Sequence, residues 1–466
     1  MQRSSAHCGA IGRFVLVFAV LCGMRSTGFA HPQAQPTVYY VDPGSSGGTG
    51  LDWTTAKTTI EDAISVASDG DQIWVKEGTY LPIGPSGPFD GYLVSKGLSF
   101  YGGFLGNETN PWPNPPAPGG SFDATIIDGQ TSSRCFSIIG ASSIHRVEIR
   151  GFKIINGESS TSANGPALGG GVYCVNTELL LSDCKLVHNH GPVRGGGLYF
   201  SDLTGAGSWT LNIKRSTFDD NWVNEGKGGA IAGSFMNAGD IVNTVFSQNR
   251  VTVSGDGGAV YLEDMGANEL RFTNCVFWRN SASGSSAKGG GICLEETSPS
   301  SFSDAKIVNC TFVMNVVTVL ANGPALYCSP NSVCGLHNSI LWGNTLGGGG
   351  SLFTPTFAGP VTVSWSDLEG YPPGTAPPTC LSEDPEFRSI AFAYGLTLRG
   401  TSNCLDHGNQ LEIPNDFLDV NEDGLTIGQS VPIDLNGAGR DHDWPAAFDQ
   451  GIPGGTFVDM GAFEKQ

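Results

Sequence analysis

Four residues have the types and spacing that chemistry would need: Tyr199, Tyr261, Glu263 and Glu295. Flat aromatic rings beside carboxylates suit the faces and hydroxyls of sugar rings. If Glu263 and Glu295 stand about 5 Å apart, they also match the carboxyl pair of a retaining glycoside hydrolase, in which like-charge proximity raises one pKa. A second set, Lys227, Asp256 and Lys288, offers bases for abstracting a proton beside a uronate carboxylate, the chemistry of a polysaccharide lyase. Each set also has a simpler reading. Tyrosine is a good strand residue that a loop can cover. Acids on an exposed strand make a solvated ladder, and Lys–Asp–Lys makes an ion-pair ladder worth a few tenths of a kcal/mol per contact.

A metal reading attaches to "DVNEDGLTIGQS". Asp419, Asn421 and Asp423 followed by Gly424 match the first half of an EF-hand-type calcium loop, and Leu425 offers a carbonyl. The twelfth position is Ser430 rather than Glu, so Asp434, or Asp416, has to supply the missing ligand. The expected role of such a calcium is structural, and the alternative is an acidic turn.

These residues sit inside a repeat. Gly171, Gly197, Ala230, Ala259, Gly291 and Ala325 each close a glycine-rich triplet, and Asn189, Asn221, Asn249, Asn280, Asn315 and Asn344 recur in step with them. One residue past the first anchor stand Val172, Leu198, Ile231, Val260, Ile292 and Leu326. Three past it stand Cys174, Phe200, Gly233, Leu262, Leu294 and Cys328. Apolar or small residues at alternate positions face a core, so the tyrosines and glutamates between them point outward. Six residues before each anchor Asn come Asp183, Arg215, Asn243, Asn274, Asn309 and Asn338, a column suited to left-handed corners and to amides stacked about 4.8 Å apart. Cys184, Cys275 and Cys310 share one inward column, either as stacked thiols or, for Cys275 and Cys310, as a disulfide; Cys328–Cys334 and Cys380–Cys404 are further pairings by proximity.

The pattern predicts an all-β chain: a right-handed parallel β-helix, a solenoid whose hand follows the crossover rule. "TTIEDAISVAS" places Ile60, Ala63, Ile64 and Ala67 on one face of a helix that caps the open end. Residues 31–160 then hold this cap and the first irregular coils, 161–365 the regular coils, and 366–466 a loop-rich closing region with the calcium turn. Residues 1–30 read as a secretory signal peptide: Arg3 and Arg13 precede "FVLVFAVLCGM", and Gly28 and Ala30 suit cleavage after Ala30, with Gln35 as the alternative. The net charge of −20 argues against nucleic-acid binding and suits divalent cations or solubility.

The chain also resembles bacterial extracellular right-handed β-helix repeat proteins with a "DMGAFE"-type C-terminal signature. The residues that carry the likeness are "YYVDPGSSGG", "DWTTAKTTIEDAI", "GDQIWVKEGTY", "LSFYGGFLGNET", the GG(A/G) repeats, "GTSNCLDHGNQ", "VPIDLNGAGR" and "VDMGAFE". Its "GGA(I/V)" and "FxxN" pairs are similar to repeats of polymorphic outer-membrane proteins, although no transmembrane barrel pattern follows. The resemblance implies the fold and an extracytoplasmic address, secreted or on the cell surface, but no particular reaction. The expected function is non-catalytic binding or adhesion, with carbohydrate as leading ligand and a polysaccharide or cell-envelope surface as partner. A polysaccharide-degrading lyase or glycoside hydrolase, and a purely structural envelope protein, are the alternatives.

Overall fold

A computed structural model describes residues 36–82, 90–108, 123–141, 145–159, 167–204, 209–237, 239–297, 303–318, 322–347, 357–371, 375–424, 426, 429–437, 439–440 and 458–464. The signal-peptide segment lies outside the described residues. The columns of the repeat become strands. In one coil Val260–Glu263, Gly266–Thr273, Val276–Trp278 and Ser281–Ala282 follow one another, and the next coil opens with Ile292–Glu295. Each strand pairs in parallel with its counterpart one coil on: Val260 lies opposite Ile292, Tyr261 opposite Cys293, Leu262 opposite Leu294 and Glu263 opposite Glu295.

Repeating this step makes the predicted all-β solenoid, a parallel β-helix with four sheets among the described residues. Sheet A has eleven strands, from Val38–Val41 to Val361–Ser364, and sheet B ten, from Gly78–Tyr80 to Asp367–Leu368. Sheet C has nine, from Tyr92–Val94 to Phe357–Ala358. Sheet D, six short strands from His190–Gly191 to Thr345–Leu346, fills the return from B to C. At the N-terminal end the helix Ile60–Val66 is capped by Thr59, whose hydroxyl accepts from the Asp62 N–H. Ile60, Ala63 and Ala67 are buried against the first coils.

The interior is a stack of like residues. Phe218, Phe246, Phe277 and Phe312 lie ring on ring with centroids 5.2, 4.8 and 4.5 Å apart, each burial worth about 1.5–3 kcal/mol. Beside them runs an amide ladder. The Nδ2 of Asn189, Asn221, Asn249, Asn280 and Asn315 each donates to the Oδ1 of the next anchor asparagine, at 2.9–3.0 Å. The corner column does take left-handed backbone, with φ between 48° and 55° at Asp183, Arg215, Asn243, Asn274, Asn309 and Asn338. Its own amide bonds join only two pairs, Asn274 to Asn243 and Asn338 to Asn309. The longer ladder belongs to the anchor column because the corner column holds Asp183 and Arg215 in place of amides, and Asn243, Asn274 and Asn338 donate to carbonyls of the C-terminal region, Asp434, Ile433 and Asn409.

Cys328 and Cys334 form a disulfide with Cα atoms 6.4 Å apart. Cys184, Cys275 and Cys310 are buried thiols, as are Cys404 and, less deeply, Cys380. The C-terminal region folds back along the side of the solenoid. Its Phe387, Leu396, Leu405, Met460 and Phe463 pack on Val245, Val276, Trp278, Val313 and Ile340, which face outward from sheet B. Val420 and Val458 cover Val242 and Val308 of sheet A in the same way. The "DMGAFE" stretch locks down through backbone: the Gly461 N–H donates to Asn338 O at 2.7 Å, and the Ala462 N–H to Thr311 Oγ1 at 2.9 Å.

Candidate functional site

The glycine triplet sets up the candidate site. Gly257 holds φ at +68°, and a Cβ there would stand 2.5 Å from the carbonyl oxygen of Val260. A Cβ on Gly258 would stand 2.3 Å from the Gly290 oxygen of the next coil. Only glycine allows so tight a reversal and so close a stacking. The turn therefore folds the residue before it back over the outer face of sheet C. Those residues form their own parallel ladder, Leu168, Arg194, Lys227 and Asp256.

Here the two sequence sets, the tyrosine–glutamate strip and the Lys–Asp–Lys ladder, become one network. Arg194 ion-pairs with Glu263, and Lys288 with Glu295. Lys227 lies 2.9 Å from Glu295 and 3.3 Å from Asp256. At the centre the Tyr261 hydroxyl is 2.7 Å from Lys227 Nζ, 2.8 Å from Glu263 Oε2 and 3.0 Å from Glu295 Oε2. The ammonium donates, so the one phenolic proton is shared between the two carboxylates. Three cations face three carboxylates on a half-buried surface.

At Glu295, Lys227 and Lys288 the electrostatics run against acid–base chemistry. Burial pulls the Glu295 carboxyl up, but hydrogen bonds from Lys288 and Lys227 more than offset it and hold it below the usual range. Burial pulls the Lys227 and Lys288 ammonium groups down, and the hydrogen bond and charge of Glu295 more than restore them, so both are raised. A general acid needs a raised carboxyl and a general base a depressed ammonium. Asp256 is raised, chiefly by burial, and Tyr261 is raised by burial and then by Glu263 and Glu295.

Tyr199 and Tyr261 do share the outer face of sheet C, with Ala232 between them. Both are covered, 5% and 1% exposed. Tyr199 stacks on Tyr173 at 5.7 Å, and Arg134 lies 5.2 Å from the Tyr173 ring centre. Neither tyrosine offers a free ring to a ligand. Glu263 and Glu295 lie directly opposite each other, as the register required.

In the acidic turn the Asp419 carboxylate accepts the Gly424 N–H at 3.2 Å, and Asn421 Nδ2 donates to Asp423 Oδ2 at 2.9 Å. The carbonyls of Leu418 and Asp419 accept from Lys214 Nζ at 2.8 and 3.1 Å. Glu422 reaches Arg150 at 2.7 Å and also Arg215, and both arginines pair with Asp183. Thus the turn docks on the solenoid through cations. Asp434 sits apart in role: its carboxylate accepts the N–H groups of Glu464 at 2.8 Å and Asn436 at 2.9 Å. Leu425 lies outside the described residues. Asp419 is turned to the Gly424 N–H and Asp423 to the Asn421 amide, Asp434 does not join them, and among the described residues no group of three His, Cys, Asp or Glu is placed to hold a metal ion.

Sequence reasoning did not single out Arg194 as a partner of Glu263, because the bond crosses two coils. Nor did it single out Trp209, which lines an open groove of about 620 Å³ where sheet C turns into sheet A. A tryptophan in a glycine- and serine-rich loop was the available signal.

No protein-family model matches the chain, and no curated protein matches it in sequence. Among solved structures it is similar to a pectate lyase, Pel9A, with a TM-score of 0.40 and 14% identity over 92% of this chain and 96% of that one. A rhamnogalacturonan lyase matches with a TM-score of 0.37 and 13% identity, over 76% of this chain and 91% of that one. Likeness at this level carries no argument about activity.

Proposed function

We propose that this chain is a secreted or cell-surface β-helix protein that binds or adheres without catalysis, with carbohydrate as its ligand and a polysaccharide or cell-envelope surface as its partner. One observation carries the reading: the carboxylates and cations best placed for chemistry are spent on one another around Tyr261. Breaking such a network to free a base would cost several kcal/mol, because each group would be left charged, half-buried and unpaired. The Cys328–Cys334 disulfide supports an oxidising compartment, and no described helix is long and apolar enough to cross a membrane. Calcium at Asp419, Asn421 and Asp423 belongs to the proposal as a structural ion that ties the C-terminal turn.

The test is to incubate protein starting at His31 with a panel of polysaccharides and millimolar calcium, reading bound protein and released oligosaccharide from the same tubes. Saturable binding without product is the expected result. Released product would overturn the non-catalytic reading in favour of a lyase or hydrolase. Neither binding nor product would point to a structural envelope protein.

A further inference from the structure

The groove at Trp209 lies where the strands of sheet C end. Lys96 follows the strand Tyr92–Val94, Asn176 follows Val172–Val175, and Trp209 stands just before Leu211–Lys214 of sheet A. Its volume, about 620 Å³, falls in the range of small-molecule and cofactor sites, about 300–1,000 Å³. The half-buried indole of Trp209 packs on the edge of the core, which holds the ring in one place.

Its charges are already used. Lys96 Nζ donates to the carbonyls of Ile64 at 3.0 Å and Ala67 at 2.6 Å. Asp69 accepts the Gly97 N–H at 2.7 Å and pairs with the His145 ring at 2.8 Å. Two neutral side-chain donors are not used. Asn176 Oδ1 accepts the Leu203 N–H at 2.8 Å, which fixes the amide, yet no described residue accepts from its NH₂ group or from the Trp209 indole N–H.

We propose that this groove is the carbohydrate subsite, and that it takes a neutral glycan. The inference rests on the carbohydrate-binding reading and narrows it. An aromatic ring with neutral donors beside it matches a sugar face and its hydroxyl oxygens. A uronate would bring its carboxylate toward Asp69 with no spare cation among the described lining residues to receive it, because Lys96 is held by backbone carbonyls.

The experiment is isothermal titration with neutral gluco-, manno- and xylo-oligosaccharides and with galacturonate oligomers, on wild type, Trp209→Ala and Asn176→Asp. The second variant keeps an acceptor for Leu203 and replaces the NH₂ donors with a charged acceptor oxygen, so it tests the site even if loss of the indole disturbs folding. Thermal melts of both variants provide the control. Binding of a neutral series by the wild type, weakened about tenfold or more in each variant that keeps its melting temperature, is expected. Wild-type affinity in Asn176→Asp, or a preference for galacturonate that survives both changes, overturns the groove assignment and leaves the carbohydrate reading standing. If the wild type binds no oligosaccharide of either kind, the carbohydrate reading itself falls.

Discussion

The Lys227 ammonium lies 2.9 Å from the carboxylate of Glu295, a residue 68 positions later in the chain and two coils along the axis. Arg194 bridges to Glu263 over a similar span, 69 positions. These bonds run along the solenoid, across the direction of the chain, and together tie four successive coils at the side.

Removal of the hydroxyl at the centre of that network is informative. Tyr261→Phe leaves Lys227, Glu263 and Glu295 each short of one partner in a covered site, and should cost about 1–3 kcal/mol in urea unfolding. The Glu295 carboxyl is held below its ordinary 4.5, so its stabilising contribution is present above that pH and is lost as pH falls through the lower folded value. Acid unfolding of the wild type should therefore show a loss that Glu295→Gln lacks. A Tyr261→Phe midpoint equal to wild type would mean that the network is held together by its charges alone.

The asparagine ladder predicts a larger penalty. Asn249 accepts from the backbone and side-chain nitrogens of Asn221 and donates to Asn280 Oδ1 and Phe218 O. Asn249→Ala removes all four bonds in a dry interior and leaves the Asn221 N–H without its acceptor, while Asn280 Oδ1 keeps the backbone N–H of residue 249 and Asn221 Nδ2 keeps Leu186 O, at a cost on the order of 3 kcal/mol. Chemical denaturation followed by circular dichroism measures it, and a change below about 1 kcal/mol would show that water enters the ladder.

Asp367 sets a pH dependence of the opposite sign to Glu295. Burial, reinforced by Glu383 and Asp384, pushes its carboxyl from 3.8 to about 7. Between those values the folded chain holds a proton that the unfolded chain has released, so stability falls as pH rises from about 4 to 7 and then levels. Asp367→Asn removes that slope and can keep the bond from the Glu383 N–H. Urea midpoints at pH 4.5, 6 and 8 should show the variant gaining on wild type at each step, by a few kcal/mol at pH 8 on the order-of-magnitude scale. A constant difference across the three would refute the assignment.

The calcium turn has a direct test. Asp423→Ala should lower the melting temperature in millimolar calcium and leave it unchanged in chelator. Equal losses in both media would mean that Asp423 supports the turn only through its bond to Asn421, and that the docking cations Lys214, Arg150 and Arg215 do the holding.

Much of the fold is local information repeated, and for that reason it was legible. Alternation at Val260 and Leu262 marks a strand, Gly257 and Gly258 mark its approach, and Asn274 marks a corner. In a parallel solenoid each coil then meets an equivalent of itself, so the register follows from the alignment. Tyr261, Glu263 and Glu295 were legible as neighbours on one face by the same logic.

Their environment was not. Outward on a strand does not mean exposed: Tyr261 is 1% accessible because the turn before it lays Lys227 and Asp256 across the face. The docking of the C-terminal segment is likewise a long-range event, in which Asn243 gives its amide to Asp434 O and Asn338 to Asn409 O, 191 and 71 residues away. The sequence by itself determined the coil, its inward columns and its corners, because those depend on side-chain period and backbone sterics within about thirty residues. Only the tertiary structure decided which outward charges pair, which rings are covered and where a groove stays open, because these depend on what the rest of the chain lays over the sheets.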